Sequence, residues 1–148
     1  MRISSKGRYG LAAMISVAQL GSTGDFVTVI SIAEKLGISK IYLEQVFSLL
    51  KRSKLVTSIK GSQGGYQLSK PSHKITILDI LQAVEISLFE KTERSVSDTA
   101  MEIENALKSL VWDGLDNAVL SSLQKVTLGD LVSEADKVKN SEDFMFYI

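Results

Sequence analysis

The chain has 148 residues, 45% of them hydrophobic, with 17 Lys/Arg against 17 Asp/Glu and no cysteine. That hydrophobic share excludes a disordered chain, and the length suffices for one compact domain with an appended helix. The missing thiols exclude disulfides, cysteine nucleophiles and cysteine-ligated zinc or iron–sulfur centres.

The neutral total hides an asymmetry. Residues 1–76 carry 11 Lys/Arg against three acids (Asp25, Glu34 and Glu44), whereas residues 77–148 carry 6 against 14. A half so cationic suits a polyanion, and the acidic half would be repelled by one. The apolar run near the N-terminus is broken by Ser16 and Gln19, and no cleavage site follows, so no signal peptide is expected. No stretch approaches 18 continuous apolar residues, so no membrane span is expected. A cytoplasmic protein is the default expectation.

A first helix is predicted over about Lys6 to Leu20, capped by Ser4 or Ser5, with Leu11, Met14, Ile15 and Ala18 at helical spacing. Residues 21–25 (GSTGD) form a turn cluster. A second helix is predicted from Val29 to Leu36, ended by Gly37. Ser39 then caps a third, Lys40 to about Ser53. On it Leu43, Val46, Phe47 and Leu50 make one apolar stripe, while Ile41, Glu44, Gln45, Ser48 and Arg52 point away. Two helices joined by a glycine turn, one of them with a buried face and a polar face, form a helix-turn-helix. Leu55 to Ile59 and Tyr66 to Ser69 are β-prone runs around Gly61-Ser62-Gln63-Gly64-Gly65, and such a hairpin beside a recognition helix is a wing.

Pro71 marks a turn, and Ile75-Thr76-Ile77 leads into a short amphipathic helix ending near Val84. Residues 86–100 read as a loop. A long helix is predicted from about Met101 to Leu123, with Ile103, Leu107, Leu110, Val111, Trp112, Leu115, Ala118 and Val119 on more than one stripe. Burial against its own domain and against a second copy would explain that width. Gly114 within it either permits a close helix crossing or breaks the helix. Thr127 caps a last short helix through Val132, followed by a polar stretch. The apolar tail, residues 144–148 (FMFYI), needs a surface to dock on. The expected fold class is therefore mainly α with a small β wing, with a DNA-binding domain over 1–85 and the loop, dimerisation helix and tail over 86–148.

Three stretches, MRISSKGRYGLAAM, IAEKLGISKIYLEQVFSLLK and LVTSIKGSQGGYQLSK, resemble the Rrf-two family of bacterial regulators, the IscR/NsrR/CymR group. The resemblance covers nearly the whole chain. It implies a homodimeric winged-helix repressor or activator on duplex DNA, with Ile103, Leu107, Leu110, Val111 and Leu115 of the long helix meeting its two-fold mate. Many relatives carry three cysteines in the segment matching residues 86–100 and bind an iron–sulfur cluster there. Here that segment offers only hydroxyls such as Thr92, Ser95 and Ser97, and His73 lies elsewhere, so no cofactor is expected. The missing cysteines and the FMFYI tail look most like the CymR-type repressors of cysteine metabolism, which implies cysteine synthase as a protein partner.

On the third helix Glu44 and Gln45 are the candidate base readers, with Ile41 beside them. A glutamate accepts from cytosine N4, and a glutamine pairs bidentately with adenine. Lys60, at a wing position where the family usually has arginine, and its neighbours Ser62 and Gln63 are candidates for the minor groove. Arg2, Lys6, Arg8, Tyr9, Lys40, Lys51, Arg52 and Lys54 are candidate phosphate contacts, Lys54 replacing a glycine common in the family. Tyr66 is expected to pack beneath the wing. Two alternatives stand beside DNA binding: a winged-helix protein-interaction module, and a regulator that responds to a small molecule. For an enzyme there is no nucleophile–base pair to nominate.

Overall fold

A computed structural model describes residues 1–61 and 64–146, with side chains as far as Glu142. Helix α1 (Ser5–Leu20) starts where the Ser4 hydroxyl accepts from the Gly7 N–H. Helix α2 (Val29–Leu36) is capped by Thr28 and stopped by Gly37 in the left-handed conformation. Helix α3 (Lys40–Arg52) is capped by Ser39, whose hydroxyl accepts from the Tyr42 N–H. All three occupy the predicted places.

The wing is a two-stranded antiparallel sheet, β1 (Val56–Ile59) against β2 (Gly65–Leu68), in a register that sets Val56 opposite Leu68 and Ile59 opposite Gly65. A single bridge between Val27 and Tyr66 ties its root to the segment before α2. Helix α4 (Ile77–Val84) opens with a reciprocal cap in which Thr76 and Asp79 exchange side-chain and backbone hydrogen bonds. Residues 86–100 contain two single 3₁₀ turns, Ser87–Phe89 and Asp98–Ala100, and otherwise form a loop as expected.

The long helix exists, with a local irregularity. It comprises α5 (Met101–Leu107), a π turn (Lys108–Trp112) and α6 (Asp113–Lys125). It continues through Gly114, where an added side chain would meet nothing within 4 Å among the described residues. Within one protomer that glycine neither breaks the helix nor admits a close neighbour.

The last helix departs from expectation. Instead of stopping near Val132, α7 runs Leu128–Phe146. Thr127 and Asp130 cap it reciprocally, Leu128 anchors it in the core, and the following Glu, Ala and Lys are strong helix formers. Polarity in 133–142 therefore marks a solvated helix, held to α1 by the Gln19 amide donating to Asp136 at 2.8 Å. The tail's side chains, residues 144–148, lie outside the described residues.

The core unites Ala13, Met14 and Val17 of α1, Ile32 of α2, the whole inner stripe of α3, Ile80 and Val84 of α4, and Leu128 of α7. A bridge between Thr76 and Thr127 stitches the start of α4 to that of α7. This core holds α3 rigidly by one face and leaves its other face free.

Candidate nucleic-acid interface

Every apolar residue that the sequence assigns to the inner stripe of α3 is sealed: Leu43, Val46, Phe47 and Leu50 have no exposed surface. Ile41, Glu44, Gln45 and Ser48 lie on the outside, and Ile41 is 73% exposed. An isoleucine so exposed on a well-packed helix has a cost in water that contact with a thymine methyl would offset. Lys6, from the first turn of α1, joins Ile41, Glu44, Gln45, Ser48 and Leu49 in lining one shallow groove. Two separate elements thus converge on one exposed surface.

The cations sit at the ends. Lys40 opens α3, where it lies 3.7 Å from Glu44, and both side chains are about half exposed. Lys51, Arg52 and Lys54 crowd its C-terminal end and are exposed. From Lys40 to Arg52 is about 18 Å along the axis, enough to span a major groove about 12 Å wide. Lysine and arginine at a helix C-terminus also complement its dipole.

Lys54 resolves the question of the missing glycine. Its φ is +61°, and it stands where a helix-ending glycine normally does. The Leu55 N–H donates to the Leu50 carbonyl at 3.0 Å and the Lys54 N–H to Lys51 at 2.9 Å, the paired bonds of a Schellman motif. The motif survives with lysine in the left-handed position.

The wing root explains the GGY sequence. A side chain at Gly65 would press on the Val27 carbonyl, and one at Gly64 on that of Ile59. Tyr66 then lays its ring on Phe47, with centroids 4.4 Å and planes 16° apart. Tyr66 therefore packs under the wing as expected, joining it to α3. Burial first, and the Glu44 carboxylate second, push its hydroxyl above the ordinary value. Lys60 is exposed on the wing; its neighbours Ser62 and Gln63 lie outside the described residues.

At the other edge Arg2, Lys6 and Arg8 are exposed around the start of α1. Arg8 lies over the Tyr9 ring, 5.9 Å from its centroid, and donates to the Ser5 hydroxyl. Tyr9 is half-buried, edge-on to Tyr42 at 5.1 Å. Sequence reasoning missed Glu85 here: its carboxylate, 4% exposed, accepts from the backbone N–H and the hydroxyl of Ser4. A single glutamate before a loop carries no signal of that kind.

A helix-turn-helix with a free polar face, basic ends and an adjoining wing is equipped for duplex DNA. The family model of Rrf2, described as an iron-dependent transcriptional regulator, matches residues 3–134. The chain belongs to the Rrf2 family. IscR of Enterobacter sp. (strain 638), an HTH-type transcriptional regulator, is 36% identical over 136 residues, 92% of this chain and 82% of that protein. CymR of B. subtilis, described as its global cysteine regulator, superposes with a TM-score of 0.73 at 34% identity, covering 90% of this chain and 98% of CymR. IscR of T. potens gives 0.72 at 33% identity over 93% and 90%. This Rrf2 chain is accordingly a DNA-binding, winged-helix transcriptional regulator.

The family description names iron, so the donors of this chain bear on it. An iron–sulfur cluster needs thiolates, and the chain has none. The buried carboxylate beside residues 86–100, Glu104, is committed otherwise: it accepts from the Ser95 and Val96 N–H groups at 3.0 and 3.2 Å. No group of three or more metal-binding side chains occurs among the described residues. The donors present do not fit a cluster.

Proposed function

We propose that this Rrf2 regulator acts as a homodimeric repressor on a palindromic operator, working in the cytoplasm. One observation carries the reading: α3 is locked by a sealed inner face while Ile41, Glu44 and Gln45 face outward beside Lys6. In this reading those three read bases, and Lys60, Ser62 and Gln63 of the wing reach the minor groove. Arg2, Lys6, Arg8, Tyr9, Lys40, Lys51, Arg52 and Lys54 hold phosphates. Two copies paired through Ile103, Leu107, Leu110, Val111 and Leu115 place their recognition helices about 34 Å apart, or a multiple of it. Recovery of genomic DNA bound to the protein, followed by mobility-shift assays, tests this. Inverted half-sites and a steep salt dependence are expected, and the absence of any symmetric motif overturns the palindromic reading.

The likeness to CymR supports control of cysteine metabolism, with cysteine synthase as a protein partner. Co-purification of that enzyme with the regulator is the expected result. A regulator that retains DNA binding but never retains the enzyme removes this part alone.

A second reading, response to a small molecule, rests on a cleft of about 360 Å³ between residues 91–94 and the long helix. It is lined in part by Lys91, Arg94, Met101 and Trp112, and the Trp112 indole N–H is buried with no partner among the described residues. Trp112 is the sole tryptophan, so its fluorescence reports occupancy of the cleft. A metabolite extract that leaves the emission unchanged counts against the reading.

A further inference from the structure

Glu85 is an unusual residue for its place. It caps the C-terminus of α4, immediately before the loop that leads to the long helix, yet it is 4% exposed. A carboxylate taken out of water needs compensation, and the compensation comes from 81 residues away in sequence. The Ser4 N–H donates to Glu85 Oε2 at 2.9 Å, and the Ser4 hydroxyl donates to the same oxygen at 2.7 Å. The Ser4 oxygen in turn accepts from the Gly7 N–H at 3.2 Å. One carboxylate oxygen therefore holds the residue that starts α1 by its backbone and its side chain together.

The place is built to admit it. A side chain at Gly7 would collide with Glu85 Oε2, and one at Gly10, a turn later, would press on Val84 Cγ2 at 3.0 Å. These two glycines open the surface of α1 so that the end of α4 lies against it. The negative charge also sits at the positive end of the α1 dipole. That end is consequently taken by a protein carboxylate, and phosphates near it must be met by side chains, namely Arg2, Lys6 and Arg8. Two of these lie within two residues of Ser4. Their direction depends on where Ser4 is pinned.

We propose that Glu85 is a positioning residue for DNA binding: by clamping Ser4 it aims the basic residues at the start of α1 at the phosphate backbone. The inference rests on the phosphate roles proposed above for Arg2, Lys6 and Arg8. Because α4 packs against both α1 and α6, the clamp also joins the DNA-facing arm to the element that touches the long helix.

The test is the salt dependence of binding to a mixed-sequence duplex of about 30 base pairs, three helical turns. Glu85→Ala is expected to weaken binding roughly tenfold near 0.1 M KCl. It should also flatten the slope of log K against log[KCl] by about one to two units, as each lost phosphate contact removes about 0.9. Glu85→Gln, whose amide oxygen accepts the same two bonds, should restore the slope. Should Glu85→Ala not fold, Glu85→Asp decides, since it keeps the charge but withdraws the carboxylate from Ser4 and leaves the Ser4 cap of α1 in place; a flatter slope supports the clamp, and the parent slope overturns it. A residue with a merely structural role would lower the melting temperature of a folded variant and leave the slope at the parent value, and that result overturns the proposal. A parent protein with no affinity for any duplex would instead overturn the DNA-binding reading beneath it.

Discussion

The Tyr66 ring rests on that of Phe47, 4.4 Å between centroids, so the wing and the recognition helix are joined through one aromatic stack. Phe47 has no exposed surface, whereas Tyr66 is half-buried, and burial together with the Glu44 charge raises the pKa of its hydroxyl. The neutral phenol is the form that this packing favours. Since its folded pKa lies above the ordinary value near 10, the associated stability is complete below about pH 10 and is lost as pH climbs through the raised value. Tyr66→Phe should abolish that alkaline loss while keeping the stack. Glu44→Gln should move the Tyr66 titration back toward its ordinary position, because one of the two causes is removed. Tyrosinate absorbance on the parent and both variants measures this; an unmoved titration in Glu44→Gln means the carboxylate does not act on the ring.

Lys54 holds a conformation that L-residues adopt at a cost of roughly 1 kcal/mol, at φ +61°. Lys54→Gly should therefore raise stability by up to about 1 kcal/mol, read from urea unfolding. If Lys54 also holds a phosphate, the same variant binds DNA with a slope about one unit flatter. Stability and affinity then move in opposite directions. A variant no more stable than the parent would show that the lysine carries compensating contacts.

Much of this was legible because α2 and α3 obey local rules: Thr28 and Ser39 cap them, Gly37 divides them, and Leu43, Val46, Phe47 and Leu50 repeat at helical spacing. The wing strands were legible for the same reason. The single bridges of Val27 with Tyr66 and of Thr76 with Thr127 were not, because one backbone pair leaves no period in a sequence. The length of α7 escaped because residues 133–142 face water nearly all round, and a solvated helix has no apolar stripe to reveal it. Glu85 and Glu104 carry no sign of burial in the sequence; their burial depends on Ser4 and on the Ser95 and Val96 amides, partners brought near only by the fold.

Glu44, proposed above as a base reader, contributes little to stability. Its pairing with Lys40 at 3.7 Å is half exposed and screened, a contact worth a few tenths of a kcal/mol. Glu44→Ala should leave the unfolding midpoint nearly unchanged and relax preference at one base pair by about 1–3 kcal/mol. Competition binding against a library of operators varied one position at a time distinguishes the outcomes. Equal discrimination by parent and variant removes Glu44 from base reading.

Leu110 is 82% exposed, Leu115 56% and Ile103 49%, on a helix that turns another side to α4. Three large aliphatic side chains left in water on one element are penalised at about 25 cal/mol per Å² until something covers them. A second copy of the same helix is the cover proposed here, and its removal should be clean because Leu110 touches little within its own protomer. Leu110→Glu is expected to retain the helical content of the parent by circular dichroism while sedimenting as a monomer. Binding to a duplex with two half-sites should fall by more than tenfold, since the two recognition helices no longer act as one ligand. Binding to a single half-site should hardly change. A Leu110→Glu protein that remains dimeric would place the two-fold contact elsewhere on the chain.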